Sequence, residues 1–252
     1  MSKKNYLALI SIITAIVIAG GLYFNIFRGG LWQDSADSSG KVLSDSGTLK
    51  QFENIRVDLG SVDISVVPGE NYSYTCSIAS QNKKPEISLK NGTLTIQNTA
   101  GSHGIRVVGF ATPSKITVTV PRDTELNSMD VDLGAGDVNL EDMNIKEVTT
   151  DLAAGDFSAG SCTFGSVKCD LAAGDCRLKD TDLSRCKIDV AAGDADLNLR
   201  GTREDYQYDP DASIGSIRVG QEKYGEEYVS DSGTGNTIQV DSSVGDIRIS
   251  FV

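Results

Sequence analysis

Eight aspartates recur at two fixed places in a repeated hexapeptide. The chain reads DLGAGD from Asp132, DLAAGD from Asp151, DLAAGD again from Asp170 and DVAAGD from Asp189, each copy nineteen residues after the last. One column is Asp132, Asp151, Asp170 and Asp189; the other is Asp137, Asp156, Asp175 and Asp194. Carboxylates in a row can hold a divalent cation, and hard oxygen ligands suit Ca²⁺. Asp137, Asp156, Asp175 and Asp194 are therefore a candidate calcium column. Acids lining a groove can also cleave polysaccharides, a chemistry that β-solenoids can host. Each reading meets an objection. Glycine–aspartate calcium repeats have a nine-residue period and more glycines. A catalytic acid pair needs two unlike environments, and a repeated column is expected to give each aspartate nearly the same one. The competing role is structural: an aspartate after a turn glycine accepts local backbone N–H bonds and fixes the corner.

Other chemistry-bearing residues are sparse. The one histidine, His103, lies in the glycine-rich TAGSHGIRV, which leaves little for histidine-based catalysis or metal binding. The five cysteines include no CxxC pair, too few and too irregular for a disulfide framework or a zinc site. Cys169, Cys176 and Cys186 fall on expected inward positions, as small apolar side chains. Cys76 and Cys162 are the least clearly core-facing. A disulfide stays open outside the cytoplasm, with its pairing unreadable. Net charge is −12, which argues against nucleic acid as a partner. No catalytic residues and no cofactor are expected.

Alternating strands must position the aspartates. Around each first aspartate sit Val131/Leu133, Thr150/Leu152, Cys169/Leu171 and Ile188/Val190. After each second aspartate come Val138/Leu140, Phe157/Ala159, Cys176/Leu178 and Ala195/Leu197. Each half reads as a short strand with apolar residues facing inward. Between the halves stand Gly136, Gly155, Gly174 and Gly193, where a tight corner calls for positive φ. A third apolar strip follows at Ile145/Val148, Phe164/Val167 and Leu183/Cys186. Strand, corner, strand and strip make one coil of a β-solenoid, and stacked coils bury a core that one coil cannot. An antiparallel sandwich of hairpins is the rival; parallel stacking better explains why one residue recurs at one place.

Degenerate copies flank the four. VDLGSVDISV keeps Asp58 and Asp63, DASIGSIRV from Asp211 keeps the glycine, Gly215, and DSSVGDIRI from Asp241 keeps Gly245 and Asp246. Stacking would set like charges about 4.8 Å apart, a repulsion of about 0.9 kcal/mol per pair in water. Lys168 and Lys187 stand two residues before Asp170 and Asp189 and can neutralise that column. From Asp130 to Arg200 fifteen acids face seven bases, so neutralisation is incomplete.

The chain divides into four parts. Residues 1–5 carry Lys3 and Lys4 and are expected in the cytoplasm. Residues 6–27, Tyr6 to Phe27, are a mainly apolar run without charge, long enough to span a bilayer. A cleavable signal peptide is the alternative, with Val17-Ile18-Ala19 as its site; the apolar run continues past it, which favours an uncleaved single-pass anchor. No cysteine lies near, so lipoprotein processing is excluded. Residues 28–50 read as a Ser/Gly/Asp-rich linker, with Trp32 either an interface anchor or incidental. Residues 51–252 form the all-β repeat domain, placed outside the cytoplasmic membrane. Asn91-Gly92 between two alternating runs predicts a hairpin.

FENIRVDLGSVDISVVPGE, GTLTIQ, KITVTVPRDTELNSMDVDLGAGDVNL and the closing VDSSVGDIRISFV, behind an N-terminal anchor, resemble a bacterial β-strand-repeat family of unknown function often labelled "putative adhesin". The resemblance covers roughly Gln51 to Val252. It implies a β-solenoid-like domain, commonly membrane-anchored in Gram-positive bacteria, with some members resembling envelope-stress regulon proteins. It supplies no catalytic residues. The expected function is a non-enzymatic, membrane-tethered cell-surface module for adhesion, envelope structure or stress sensing, with a cell-wall polymer or another envelope protein as partner. The alternative is a carbohydrate-binding or carbohydrate-active β-solenoid.

Overall fold

The structure, a computed structural model, describes residues 42–79, 84–98, 114–224 and 235–252. Its first strands are β1 (Val42–Thr48), β2 (Asn54–Ser61), β3 (Asp63–Gly69), β4 (Ser73–Ala79), β5 (Glu86–Lys90), β6 (Thr93–Gln97) and β7 (Lys115–Pro121). The regular repeats give β8 (Glu125–Ala135), β9 (Val138–Glu141), β10 (Asn144–Leu152), β11 (Phe157–Gly160), β12 (Thr163–Leu171), β13 (Cys176–Ala192) and β14 (Ala195–Leu199). After a short 3₁₀ turn at Arg203–Asp205 come β15 (Tyr206–Ala212), β16 (Ile217–Val219), β17 (Glu222–Tyr224), β18 (Asn236–Val244) and β19 (Ile247–Phe251).

The repeats pair in parallel with a shift of nineteen residues. Thr150 faces Val131 on one side and Cys169 on the other, and Leu152 faces Leu133 and Leu171. The solenoid is therefore the architecture, and not the hairpin sandwich. The third apolar strip does not make a third wall. Ile145 and Val148 lie on β10 with Leu152, so strip and first half merge into one strand and each coil has two faces. A front sheet runs β5-β6-β2-β8-β10-β12-β13-β18-β15. A back sheet runs β1-β4-β7-β3-β9-β11-β13-β14-β19-β16-β17. The long β13 crosses from back to front, serving both sheets.

One apolar core lies between them. Its rows follow the register: Leu59, Leu133, Leu152, Leu171 and Val190 in front, and Ile64, Val138, Phe157, Cys176, Ala195 and Ile247 behind. Each fully buried Val, Leu, Ile or Phe contributes about 1.5–3 kcal/mol. Phe157 beside Cys176 and Ala195 shows large and small side chains sharing a row so that the core fills. All five cysteines are buried as free thiols, including Cys76 and Cys162, which sequence had left doubtful. Burial pushes the Cys162 thiol up to about 11 and raises Cys186 further.

The final coils are not stacked in chain order. β18 and β19 sit between β13/β14 and β15/β16, which precede them in sequence. That makes β15 the outer strand of the front sheet, where Pro210 is tolerated because an edge strand can spare an N–H.

β1 falls inside residues 28–50, which read as linker. Its seven residues pair antiparallel with β4. Most of its side chains are exposed, so backbone pairing makes this strand and leaves no apolar pattern to detect. Tyr74 Oη donates to Asp45 Oδ2 at 2.9 Å and Lys84 Nζ pairs with it at 2.7 Å, pinning β1 in place. No helix among the described residues is long and apolar enough to cross a membrane. The span expected over Tyr6–Phe27, Trp32 and His103 lie outside the described residues.

Candidate functional site: two aspartate ladders

The corner glycines stack as the repeat requires. Gly155 has φ +138, and a Cβ there would lie 2.0 Å from the Gly136 carbonyl oxygen; at Gly174, with φ +141, it would lie 1.9 Å from that of Gly155. Gly193 and Gly245 continue the stack in the same contact. No side chain larger than hydrogen fits this column.

The aspartates after these corners form a hydrogen-bonded ladder along the stack. The N–H of Asp137 donates to Asp63 Oδ1 at 3.1 Å, that of Asp156 to Asp137 at 2.9 Å, and that of Asp175 to Asp156 at 2.9 Å. Asp194 donates to Asp175 at 2.8 Å, Asp246 to Asp194 at 2.8 Å, and Ser216 to Asp246 at 2.9 Å. The carboxylates do accept backbone N–H bonds, but not local ones. Each N–H belongs to the next coil, because the peptide leaving the corner points along the stacking axis. Two arginines clamp the ladder: Arg177 reaches Asp156 Oδ2 at 2.6 Å and also pairs with Asp175, and Arg248 bridges Asp194 at 3.5 Å and Asp246 at 3.0 Å. Burial works to raise Asp156, but the Asp175 N–H and the Arg177 guanidinium outweigh it and hold this carboxyl below its ordinary value.

The other column is longer than four. Register aligns Asp58, Asp132, Asp151, Asp170, Asp189, Asp241 and Asp211 across the front sheet. Exposure falls along it: the first three are exposed and the last four half-buried. Two residues earlier on each strand a second row runs Arg56, Asp130, Thr149, Lys168, Lys187, Gln239 and Asp209. Lys168 pairs with Asp170, and Lys187 Nζ lies 2.8 Å from Asp189, so the two lysines neutralise the middle of the column.

The environments are consequently not alike, contrary to what the repeat suggested. Burial favours a protonated Asp189, yet the Lys187 ammonium and hydrogen bonds from its neighbours hold it below the usual carboxylate value. Asp241 has no lysine at the matching place. Burial first, then the charges of Asp189 and Asp211, push it up to about 6. Burial and the charges of Asp151, Asp58 and Asp130 likewise raise Asp132. An open groove of about 630 Å³ runs over the half-buried part of the column, lined by Asp151, Asp170, Lys187, Asp189, Asp211 and Asp241 among others.

The described residues contain no group of three or more His, Cys, Asp or Glu disposed to hold a metal ion. In the candidate calcium column Oδ1 of each of Asp137, Asp156, Asp175 and Asp194 accepts a backbone N–H. Sequence reasoning missed Arg177 and Arg248. Their position on the coil is filled by Asn139, Ser158 and Asp196 in neighbouring turns, so no repeat marks them.

The profile of the Toastrack DUF4097 family matches residues 52–252. No curated protein matches the chain. Among solved structures, a "putative cell adhesion protein" from Clostridium sporogenes aligns over 84% of this chain and 100% of its own, at 13% identity and TM-score 0.53. A "putative adhesin" from Bacteroides fragilis aligns over 85% and 98%, at 15% identity and TM-score 0.46. A "putative lipid binding protein" from Parabacteroides distasonis aligns over 84% and 98%, at 14% identity and TM-score 0.35. The first of these likenesses shows a shared fold.

Proposed function

The chain belongs to the Toastrack DUF4097 family, and from that premise we propose that it is a non-enzymatic β-repeat module, held at the outer side of the cell membrane by residues 6–27 and serving adhesion, envelope structure or envelope-stress sensing. The observation that carries this reading is the inner aspartate ladder. Its repeated acids are committed to backbone N–H groups and arginines, which supports a scaffold role for the repeat over a reaction centre. A scaffold of this kind suits presentation to a cell-wall polymer or an envelope protein.

Two experiments test it. Protease shaving of intact cells should release the β domain, and protection inside the cell would overturn the topology. A glycan and cell-wall binding screen on the full chain, with and without Ca²⁺, should find binding without turnover.

The groove supports a second reading, a carbohydrate-binding or carbohydrate-active solenoid, because it holds Asp189 and Asp241 with opposite protonation preferences. Hydrolysis of any glycan, lost in Asp241→Asn, would favour this reading over the first.

A further inference from the structure

The intercalated C-terminal coil carries a consequence for pH. β18 and β19 lie between two neighbours on both sheets: β13 and β15 in front, β14 and β16 behind. On the front face this places Asp241 in register with Asp189 on one side and Asp211 on the other. In-register side chains stand about a strand spacing apart, roughly 4.8 Å. The charged groups facing Asp241 from β13 are Asp189 and Lys187, and from β15 Asp211 and Asp209. Its own strand offers Gln239, whose Nε2 donates to Asp241 Oδ2 at 3.4 Å. Among the described residues the facing cation is Lys187, and it is engaged by Asp189 at 2.8 Å.

We propose that β18–β19 is a proton-operated closure of the solenoid: a proton shared between Asp189 and Asp241 holds the coil between its neighbours, and loss of that proton loosens it. This device does not depend on the function proposed above.

The direction follows from linkage. Asp241 binds its proton more tightly in the folded chain than an ordinary aspartate does, so the stability it lends is full below the ordinary aspartate range. That stability is lost as pH rises through about 6. The inner ladder acts on the same coil with the opposite sign. Asp246 accepts from the Ser216 hydroxyl and N–H and is held below its ordinary value, so that anchor fails only in stronger acid. Between the two limits, in mild acid, the coil is tightest.

Hydrogen exchange of the full-length chain in detergent micelles, corrected for the intrinsic pH dependence of exchange, tests this. Protection of β18 and β19, relative to β10 and β11 in the same molecule, should fall by about tenfold between about pH 5.5 and about pH 7.5, within the limit of tenfold per pH unit set by one proton. Asp241→Asn should keep the coil protected at the higher pH and flatten the profile. Gln239→Lys, which restores a lysine at the place held by Lys168 and Lys187, should flatten it as well and serves if the first variant folds poorly. Equal relative protection at the two pH values in the unaltered chain would overturn the proposal. So would a profile unchanged by both substitutions.

Discussion

The backbone N–H of Asp175 donates to Asp156 Oδ1 at 2.9 Å, and Arg177 grips the second oxygen of the same carboxylate at 2.6 Å. One aspartate thus joins two coils through both of its oxygens. The contact is repeated up the stack, while the glycine before each aspartate gives the backbone room to make it.

Glycine and aspartate in this corner should differ in cost. Gly174→Val puts a Cβ 1.9 Å from the Gly155 carbonyl oxygen at φ +141, a clash between backbones with no flexible side chain to yield. Strain of this kind costs more than about 4 kcal/mol in the severe cases. Asp175→Ala removes an acceptor for the Asp194 N–H and one partner of Arg177, a loss of about 1–3 kcal/mol. Thermal melts should rank Gly174→Val well below Asp175→Ala, and equal melting temperatures would refute the stacked corner.

The ladder should also make the domain acid-labile. Asp156 and Asp246 are both held below their ordinary value of 3.8, so their contribution is present above that pH and disappears as pH falls beneath it. Denaturant midpoints should drop steeply from about pH 4 to about pH 2.5, and Arg177→Ala should shallow the drop. An unchanged slope in that variant would separate acid lability from the clamp.

Thr150 offers a test of the core. Its side chain is fully buried in the row of Val131 and Cys169, and its hydroxyl has no hydrogen-bond partner among the described residues. A buried unpaired hydroxyl costs about 1–3 kcal/mol, and valine has nearly the same shape. Thr150→Val should raise the melting temperature by about 2–4 °C, the shift expected of about 1 kcal/mol in a domain of this size. A lower melting temperature would mean that the hydroxyl has a partner.

The nineteen-residue spacing made the coils legible because a parallel stack puts the same demand on each turn. Gly155 and Gly174 recur for the reason Leu152 and Leu171 do. Three things escaped the same logic. The order of the last coils did not show, since Asp211 and Asp241 both satisfy the column and periodicity cannot say which coil lies next to Asp189. The lysine gap showed only once register set Gln239 beside Lys187. β1 was hidden because an edge strand held by backbone bonds to β4 needs no apolar alternation. The outer column illustrates the general limit: sequence repeats where backbone geometry is shared, while protonation depends on neighbours such as Lys187 that do not repeat.

The buried thiols should be inert in the folded chain. Burial raises Cys162 to about 11, and Cys186 is pushed higher still, so neither supplies thiolate at neutral pH. A thiol reagent at about pH 7.5 should label the native protein far more slowly than the unfolded one, by at least about a hundredfold if global opening is required. Rapid labelling of Cys162 without denaturant would show that the core opens locally at that corner.

The last prediction decides between structure and cation for Asp137, Asp156, Asp175 and Asp194. One oxygen of each already accepts an N–H from the next coil, and the second oxygens of Asp156 and Asp175 meet Arg177. A calcium ion would have to displace the arginine, and it needs six to eight oxygens, of which these rungs offer few unengaged. Addition of Ca²⁺ or of a chelator to the full chain should therefore leave the melting temperature nearly unchanged. A bound ligand at about a hundred times its Kd adds about 2.7 kcal/mol, which at about 2–4 °C per kcal/mol is a shift too large to miss. If such a shift appears and is abolished by Asp156→Asn with Asp175→Asn, the ladder is a calcium column and the arginine clamp is its metal-free alternative. If it does not, the repeated aspartate is explained by the hydrogen bond that each coil makes to the next.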